Sequence, residues 1–292
     1  MKHCAHIISA IFLIFSCCSC DIKWRNGDYV YNPEIVIDGW IEVGKGATVV
    51  LTQSVMVHPE DNESEIRLQD IPIRWAKVTV SDGEREEILV GRMDEDIFPP
   101  YKYTGTAIKG EAGKKYSVKV EYSGRTVTAE TTIPHAVKID DFKVLKSEDC
   151  DTLYRIDVSF RDDKSEKNWY KLLTSISEKE TGTYDGRYYS AFMGTVSDEI
   201  LDSKESTITV NRPFRHIKTE DYSPYFHKGE TVSVMLAQID ETSFNFWSDY
   251  ENEISNGKNI LFPSSSNLRS NVSGGRGIWC GYNSDTVEIT VE

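Results

Sequence analysis

The sequence predicts an all-β protein with a single short helix. Three observations carry that prediction. From Glu34 onward the chain is a succession of short β-branched and aromatic runs, separated by turns such as Gly44-Lys45-Gly46, Asp82-Gly83 and Ser123-Gly124. The runs alternate: Tyr116, Val118, Val120 and Tyr122 share one face, and Lys115, Ser117, Lys119 and Glu121 the other. A helical period emerges at one place only, FNFWSDYENEIS, where Phe244, Trp247, Tyr250 and Ile254 recur at steps of three and four.

In order, strands are expected at Ile35–Ile41, Thr48–Val57, Ile73–Val80, 86–90, Lys115–Tyr122 and 127–133. The Asp82-Gly83 pair marks a hairpin. This spacing, ending at Pro134, predicts an immunoglobulin/fibronectin-like antiparallel β-sandwich over residues 34–135. A second β-rich domain is expected over 136–292. Its strands fall at Tyr154–Phe160, Trp169–Ile176, Arg187–Met193, Ser206–Val210 and Thr231–Gln238, and two short ones, Gly277–Tyr282 and Thr286–Val291, close the chain. The helix is expected at about 242–255, with Thr242 or Ser243 as its N-cap and Gly257 at its C-terminal end. Pro263–Gly277 reads as a Ser/Asn/Gly loop, whose glycines and Asn267 and Asn271 serve backbone geometry.

The first 20 residues decide where such a protein would work. Lys2 precedes a nearly unbroken apolar run, Ile7–Phe15, which leads into SCCSC. The run is about 10 residues, too short for a bilayer span of ~20, and has the flanks of a secretory leader. A small residue before a cysteine at the end of such a run is the pattern of a bacterial lipobox. Cys17 and Cys20 both qualify as the acylated residue, so residues 1–20 read as lipoprotein signal peptide and lipobox and 21–33 as a tether. The expected location is the outer membrane, lipid-anchored, with the periplasmic and cell-surface faces both open. The balance of 33 Lys and Arg against 47 Asp and Glu gives a net charge of −14, which argues against a nucleic-acid partner. Beyond the leader only Cys150 and Cys280 remain, and their spacing supports no disulfide.

The chain resembles the domain of unknown function 4249 family of Bacteroidota outer-membrane lipoproteins. The residues that carry the likeness are Ile35–Ile41, Ala76–Gly83, Gly110–Val120, Ala129–Pro134, Asn168-Trp169-Tyr170, Phe246-Trp247 and, most specifically, FPSSSNLRSNVSGGRGIW over Phe262–Trp279. The crowded SCCSC departs from the single clear lipobox usual there. The resemblance implies an outer-membrane lipoprotein often encoded beside a TonB-dependent receptor, and it implies no catalytic residues.

No nucleophile elbow, zinc-protease helix motif or phosphate loop is present. His58, His135, His216 and His227 fall in apparent loops without metal-ligand spacing, and the acidic loops Glu60–Glu65 and Asp94–Asp96 lack a calcium-loop pattern. No cofactor is expected. The candidate binding residues are aromatics in turn-rich stretches, Tyr188, Tyr189, Tyr225 and Phe226, which would suit a peptide or glycan ligand if exposed. Tyr184, Phe192, Phe214 and Tyr222 lie in the same stretches. The sequence thus leads to a non-catalytic lipoprotein, an accessory of a TonB-dependent transporter that binds or hands over a nutrient. The alternatives are a structural or adhesive, pilus-associated surface lipoprotein and a hydrolase without a recognisable motif.

Overall fold

Alternating apolar residues need a covering layer, and this chain supplies it by packing sheets on sheets. A computed structural model describes residues 32–54, 71–95, 97, 99–148, 150–177, 188–201, 205–213, 222–256 and 268–292. The leader with Cys17 and Cys20, the tether up to residue 31, His58, the acidic loop 60–65, Tyr184, Phe214, His216, Gly257 and Asn267 lie outside the described residues.

The first half contributes β1 (Ile35–Glu42), β2 (Gly46–Gln53), β3 (Lys77–Ser81), β4 (Glu86–Ile88), β5 (Val90–Met93), β6 (Tyr101–Lys109), β7 (Lys115–Tyr122) and β8 (Arg125–Thr132). The Asp82-Gly83 hairpin forms as expected. Gly83 takes φ +86, and the Asp82 carboxylate accepts the amides of Glu84 and Arg85 at 3.1 and 2.8 Å. The return strand expected at 86–90 is instead two strands. The chain changes sheets at buried Leu89, whose amide donates to the Val78 carbonyl, so β4 pairs with β3 and β5 with β6.

The second half contributes β9 (Ile139–Lys146), β10 (Leu153–Arg161), β11 (Trp169–Ser177), β12 (Tyr189–Ser197), β13 (Glu205–Val210), β14 (Phe226–His227) and β15 (Thr231–Ile239). Helix α1 (Glu241–Asn256), β16 (Val272–Ser273) and β17 (Arg276–Thr290) follow. The protein is all-β apart from α1 and a single 3-10 turn at Asp198–Ile200, among the described residues. No helix there is long and apolar enough to cross a membrane.

The element that organises the fold is β17. The two short closing strands expected from the sequence are one strand of 15 residues, about 50 Å long at ~3.3 Å per residue. Its first part, 276–282, pairs in parallel with β1, and its second part, 283–290, pairs antiparallel with β15. The turn-forming residues between them have their side chains engaged elsewhere. Asn283 donates to the Pro134 carbonyl at 2.9 Å, Ser284 donates to Glu42 at 2.7 Å, and Asp285 accepts the Ile139 amide at 2.9 Å. With those groups satisfied by neighbours, the backbone stays extended.

β17 thereby joins an eight-stranded sheet in the order β12-β11-β15-β17-β1-β2-β6-β5. A five-stranded sheet, β16-β8-β7-β3-β4, covers the β1 side, and a four-stranded sheet centred on β10 covers the β15 side. Trp279 belongs to the first core and Ile289 to the second, at alternating positions of the same parity, so both small sheets lie on one face of the long sheet. Ile278 and Cys280 point to the opposite face, where α1 packs. Pro33–Glu292 is one compact unit with these two cores side by side.

The helix sits where expected, but its cap and its buried face differ. Asp240 is the N-cap: its Oδ1 accepts the Ser243 amide at 2.8 Å. Its Oδ2 accepts the Thr131 hydroxyl at 2.7 Å, which pins the helix start to β8. The most buried positions are Ser243, Phe246 and Glu251, whereas Phe244, Trp247 and Ile254 are half-buried. A charged residue of the sheet beneath, Lys171, lies 3.7 Å from Glu251 and favours its inward position.

Candidate functional site

Two arrangements in the fold concentrate polar chemistry. The first is a trough of about 800 Å³ on the outer face of the five-stranded sheet. Alternation in β3, β7 and β8 turns Thr79, Ser117, Lys119, Thr128 and Glu130 outward into it, while Val78, Val118 and Val127 face the core. One rim is Asn271, fixed by donating to the carbonyls of Glu130 and Trp279 at 2.9 and 2.7 Å and by accepting the Trp279 amide at 3.0 Å. Asp240 and Thr242, at the start of α1, close the same side. Charges across the floor are paired: Lys77 and Lys119 flank Glu121 at 3.3 and 3.1 Å, and Lys115 meets Glu130 at 2.9 Å. Hydrogen bonds from Lys119 and Lys77 hold the Glu121 carboxyl below its ordinary range. A surface of hydroxyls, ammonium groups and carboxylates can hydrogen-bond a polar, extended ligand. The lining includes neither histidine nor cysteine.

The second arrangement lies under α1. Lys171 of β11 has no accessible surface, and its ammonium donates to Ser190 at 2.8 Å and Thr195 at 3.3 Å. Glu251 of the helix lies 3.7 Å away and accepts the Thr195 hydroxyl at 2.6 Å. The Trp247 ring centroid is 4.0 Å from the Lys171 nitrogen, at cation–π distance. Burial lowers the Lys171 amine to about 8, with Glu251 partly offsetting it. Beside it, burial pushes the Cys280 thiol up to about 12, making it a poor nucleophile. This network ties the helix to β11 and β12 and leaves the amine buried.

The structure places the four candidate aromatics differently from one another. Tyr188 and Tyr189 are half-buried at the start of β12, an end strand of the eight-stranded sheet, and Tyr225 is half-buried just before β14. Phe226 has no exposed surface. Its ring is part of the second core, so it cannot anchor a partner in this fold. The neighbouring rings of Phe192 and Tyr222 stack edge to face at 5.0 Å, and the Tyr222 hydroxyl donates to the Arg212 carbonyl at 2.7 Å. Arg212 is held in turn by Glu230 through two parallel bonds of 2.8 Å each. His135 and His227 are exposed on separate segments. Cys150 and Cys280 are free thiols.

Sequence reasoning missed both arrangements. Lys171 did leave a signal: it stands between the apolar Trp169 and Leu173 on one strand face. The trough left none, because alternating Ser, Thr, Lys and Glu is the ordinary outer face of a sandwich strand.

No curated protein matches the chain. The family model described as "Domain of unknown function (DUF4249)" matches residues 26–288, a span that takes in the trough and both cores up to the last residues of β17, and the chain belongs to that family.

Proposed function

We propose that this protein is a non-catalytic lipoprotein of the outer membrane, an accessory of a TonB-dependent transporter that binds or hands over a nutrient. The observation that carries the reading is the trough. It is a polar concavity on the β-scaffold, with its rim fixed by Asn271 and its floor set by paired charges. Rigid, pre-positioned hydrogen-bonding groups favour capture of a polar ligand such as a peptide or glycan, because little ordering entropy remains to be lost on binding. The short apolar leader ending in SCCSC supports the anchor, with Cys17 or Cys20 carrying the lipid. Binding by the exposed parts of Tyr188, Tyr189 and Tyr225 is a second contact region in this reading.

The test fills the trough without touching the core. Thr128→Trp and Ser117→Trp would be compared with wild type for pull-down of the receptor encoded beside the gene and for growth on the nutrient to which that operon responds. Loss of association with an unchanged circular dichroism spectrum supports the reading. Wild-type association and growth in both variants refute it. The anchor is tested separately by acyl labelling: a Cys17→Ala/Cys20→Ala double variant that still takes up label refutes the lipobox.

A structural or adhesive role is the second reading, and one observation favours it. β9 is an outer strand, paired with β10 alone among the described residues, and it leaves Phe142 and Leu145 exposed. A strand from another subunit could extend the sheet there.

A further inference from the structure

One end of the first sandwich carries apolar surface that the cores do not use. Trp75 is 88 % exposed, and Met93 and Val90 are 55 % and 69 % exposed. Strand register places them. β1 begins at Ile35 opposite Gln53, so the chain enters the fold at the Gln53 end of β2. The Ser123-Gly124 turn lies at this end as well, because the Arg125 guanidinium donates to the carbonyl of Pro33 at the chain's point of entrance. Lys77, two residues after Trp75, pairs with Glu121, two residues before that turn. Met93 pairs with Tyr101, the first residue of β6, and the Tyr101 hydroxyl donates to the Arg74 carbonyl at 3.1 Å, next to Trp75. Val90 lies three residues back along the same edge strand. Trp75 therefore projects from the crossover between the two sheets, at the end where residues preceding Pro33 join the body.

A tryptophan this exposed at the close of a sandwich has no packing role. Its amphipathic ring and a neighbouring methionine suit the boundary between headgroups and acyl chains. A tether of about a dozen residues reaches at most ~40 Å even fully extended, so an anchored body has this end held close to the lipid. We infer that Trp75 and Met93 form a lipid-contacting surface which seats the first sandwich against the bilayer holding the anchor, leaving the trough on the side of the sandwich. This rests on the lipid-anchor reading above and adds an orientation to it.

The experiment uses full-length acylated protein reconstituted into phosphatidylcholine/phosphatidylethanolamine vesicles containing phosphatidylcholine brominated in its acyl chains. The chain has six tryptophans, of which Trp24 lies in the tether, so the reference is Trp24→Phe. Bromolipid should quench the reference, and adding Trp75→Phe should abolish most of that quenching while flotation with the vesicles persists. Met93→Asp should weaken it as well. Flotation with quenching unchanged by Trp75→Phe, or with no quenching of the reference, overturns the inference and leaves the anchor standing. Failure to float overturns both. Because Trp75 and Met93 are exposed, neither change threatens the core.

Discussion

Replacing Trp279 by alanine tests the central structural claim, that the last strand of the chain completes the core of the first sandwich. Trp279 has no exposed surface, lies against Gly39, and donates its indole N–H to the Tyr116 carbonyl at 3.2 Å. A tryptophan buries ~150–250 Å², worth about 4–6 kcal/mol at ~25 cal/mol per Å², an upper bound because unfolded chains already bury part of that area. Measured losses for large aromatic-to-alanine changes run about 3–5 kcal/mol. We therefore expect about 4 kcal/mol, a large share of the ~5–15 kcal/mol of a typical domain. Trp279→Phe, which keeps a ring but loses the hydrogen bond, should cost about 1–2 kcal/mol. The assay is urea unfolding followed by both far-UV circular dichroism and tryptophan fluorescence. Since β17 pairs with β1 and β15 in one unbroken strand, both probes should shift together to a lower midpoint with the slope unchanged. A loss below about 1 kcal/mol, or a two-phase curve whose second phase ignores the substitution, refutes the reasoning.

Four further outcomes follow from the geometry. The Lys171 amine is held near about 8, against ~10.4 for an ordinary lysine; between those values the unfolded chain binds more protons, so stability should rise with pH across that window. Lys171→Met should flatten the rise, measured by urea midpoints from neutral to alkaline pH, and an unchanged slope contradicts the assignment. Gly277→Ala places a Cβ 1.8 Å from the Ile37 carbonyl oxygen at φ +106 and should cost more than about 2 kcal/mol, read as a lowered Tm; an unchanged Tm refutes the close β1–β17 approach. In a background with Cys4, Cys17, Cys18 and Cys20 all replaced by alanine, Cys150, its thiol lowered by hydrogen bonding to Thr152, should react with a thiol reagent in the native protein, and Cys280 only after unfolding; native labelling of Cys280 contradicts its burial. Trp247→Ala should cost about 2 kcal/mol, below the ~3–5 of full burial, because its ring is half-buried over Lys171; a thermal melt unchanged from wild type would remove that contact from the account.

Local pattern was most legible where a strand had one wet and one dry face. Lys115–Tyr122 and Leu153–Arg161 alternate cleanly and appear as β7 and β10 close to the expected bounds. β6 and β9 were not anticipated: Gly105 interrupts the one, and Asp140, Asp141, Lys143 and Lys146 crowd the other, so neither shows a dry face in isolation. The aromatic stretches were misleading in one respect. Phe226 and Tyr222 sit among turn residues that read as exposed, yet Phe226 packs in the second core and Tyr222 stacks on Phe192. Lys171 shifted the expected helix face: Phe244 and Trp247 still pack on the sheet, but the buried ammonium brings Glu251 inward beside them.

By itself, then, the sequence determined the class of fold, the place of helix α1, the hairpin at Asp82-Gly83 and the family, because these depend on residues close together in the chain or on their order. Tertiary structure alone decided that Asn283-Ser284-Asp285 would run straight through rather than turn. It also decided that Trp279 would serve the first core, and that a charged pair would lie under the helix. Each of these rests on a partner more than 50 residues away: Pro134 and Ile139 for the straight strand, Tyr116 and Gly39 for the tryptophan, Glu251 for the lysine. A side chain's hydrogen-bonding capacity is local, but whether it bends its own backbone depends on what else arrives to satisfy it, and only the folded chain brings that partner within reach.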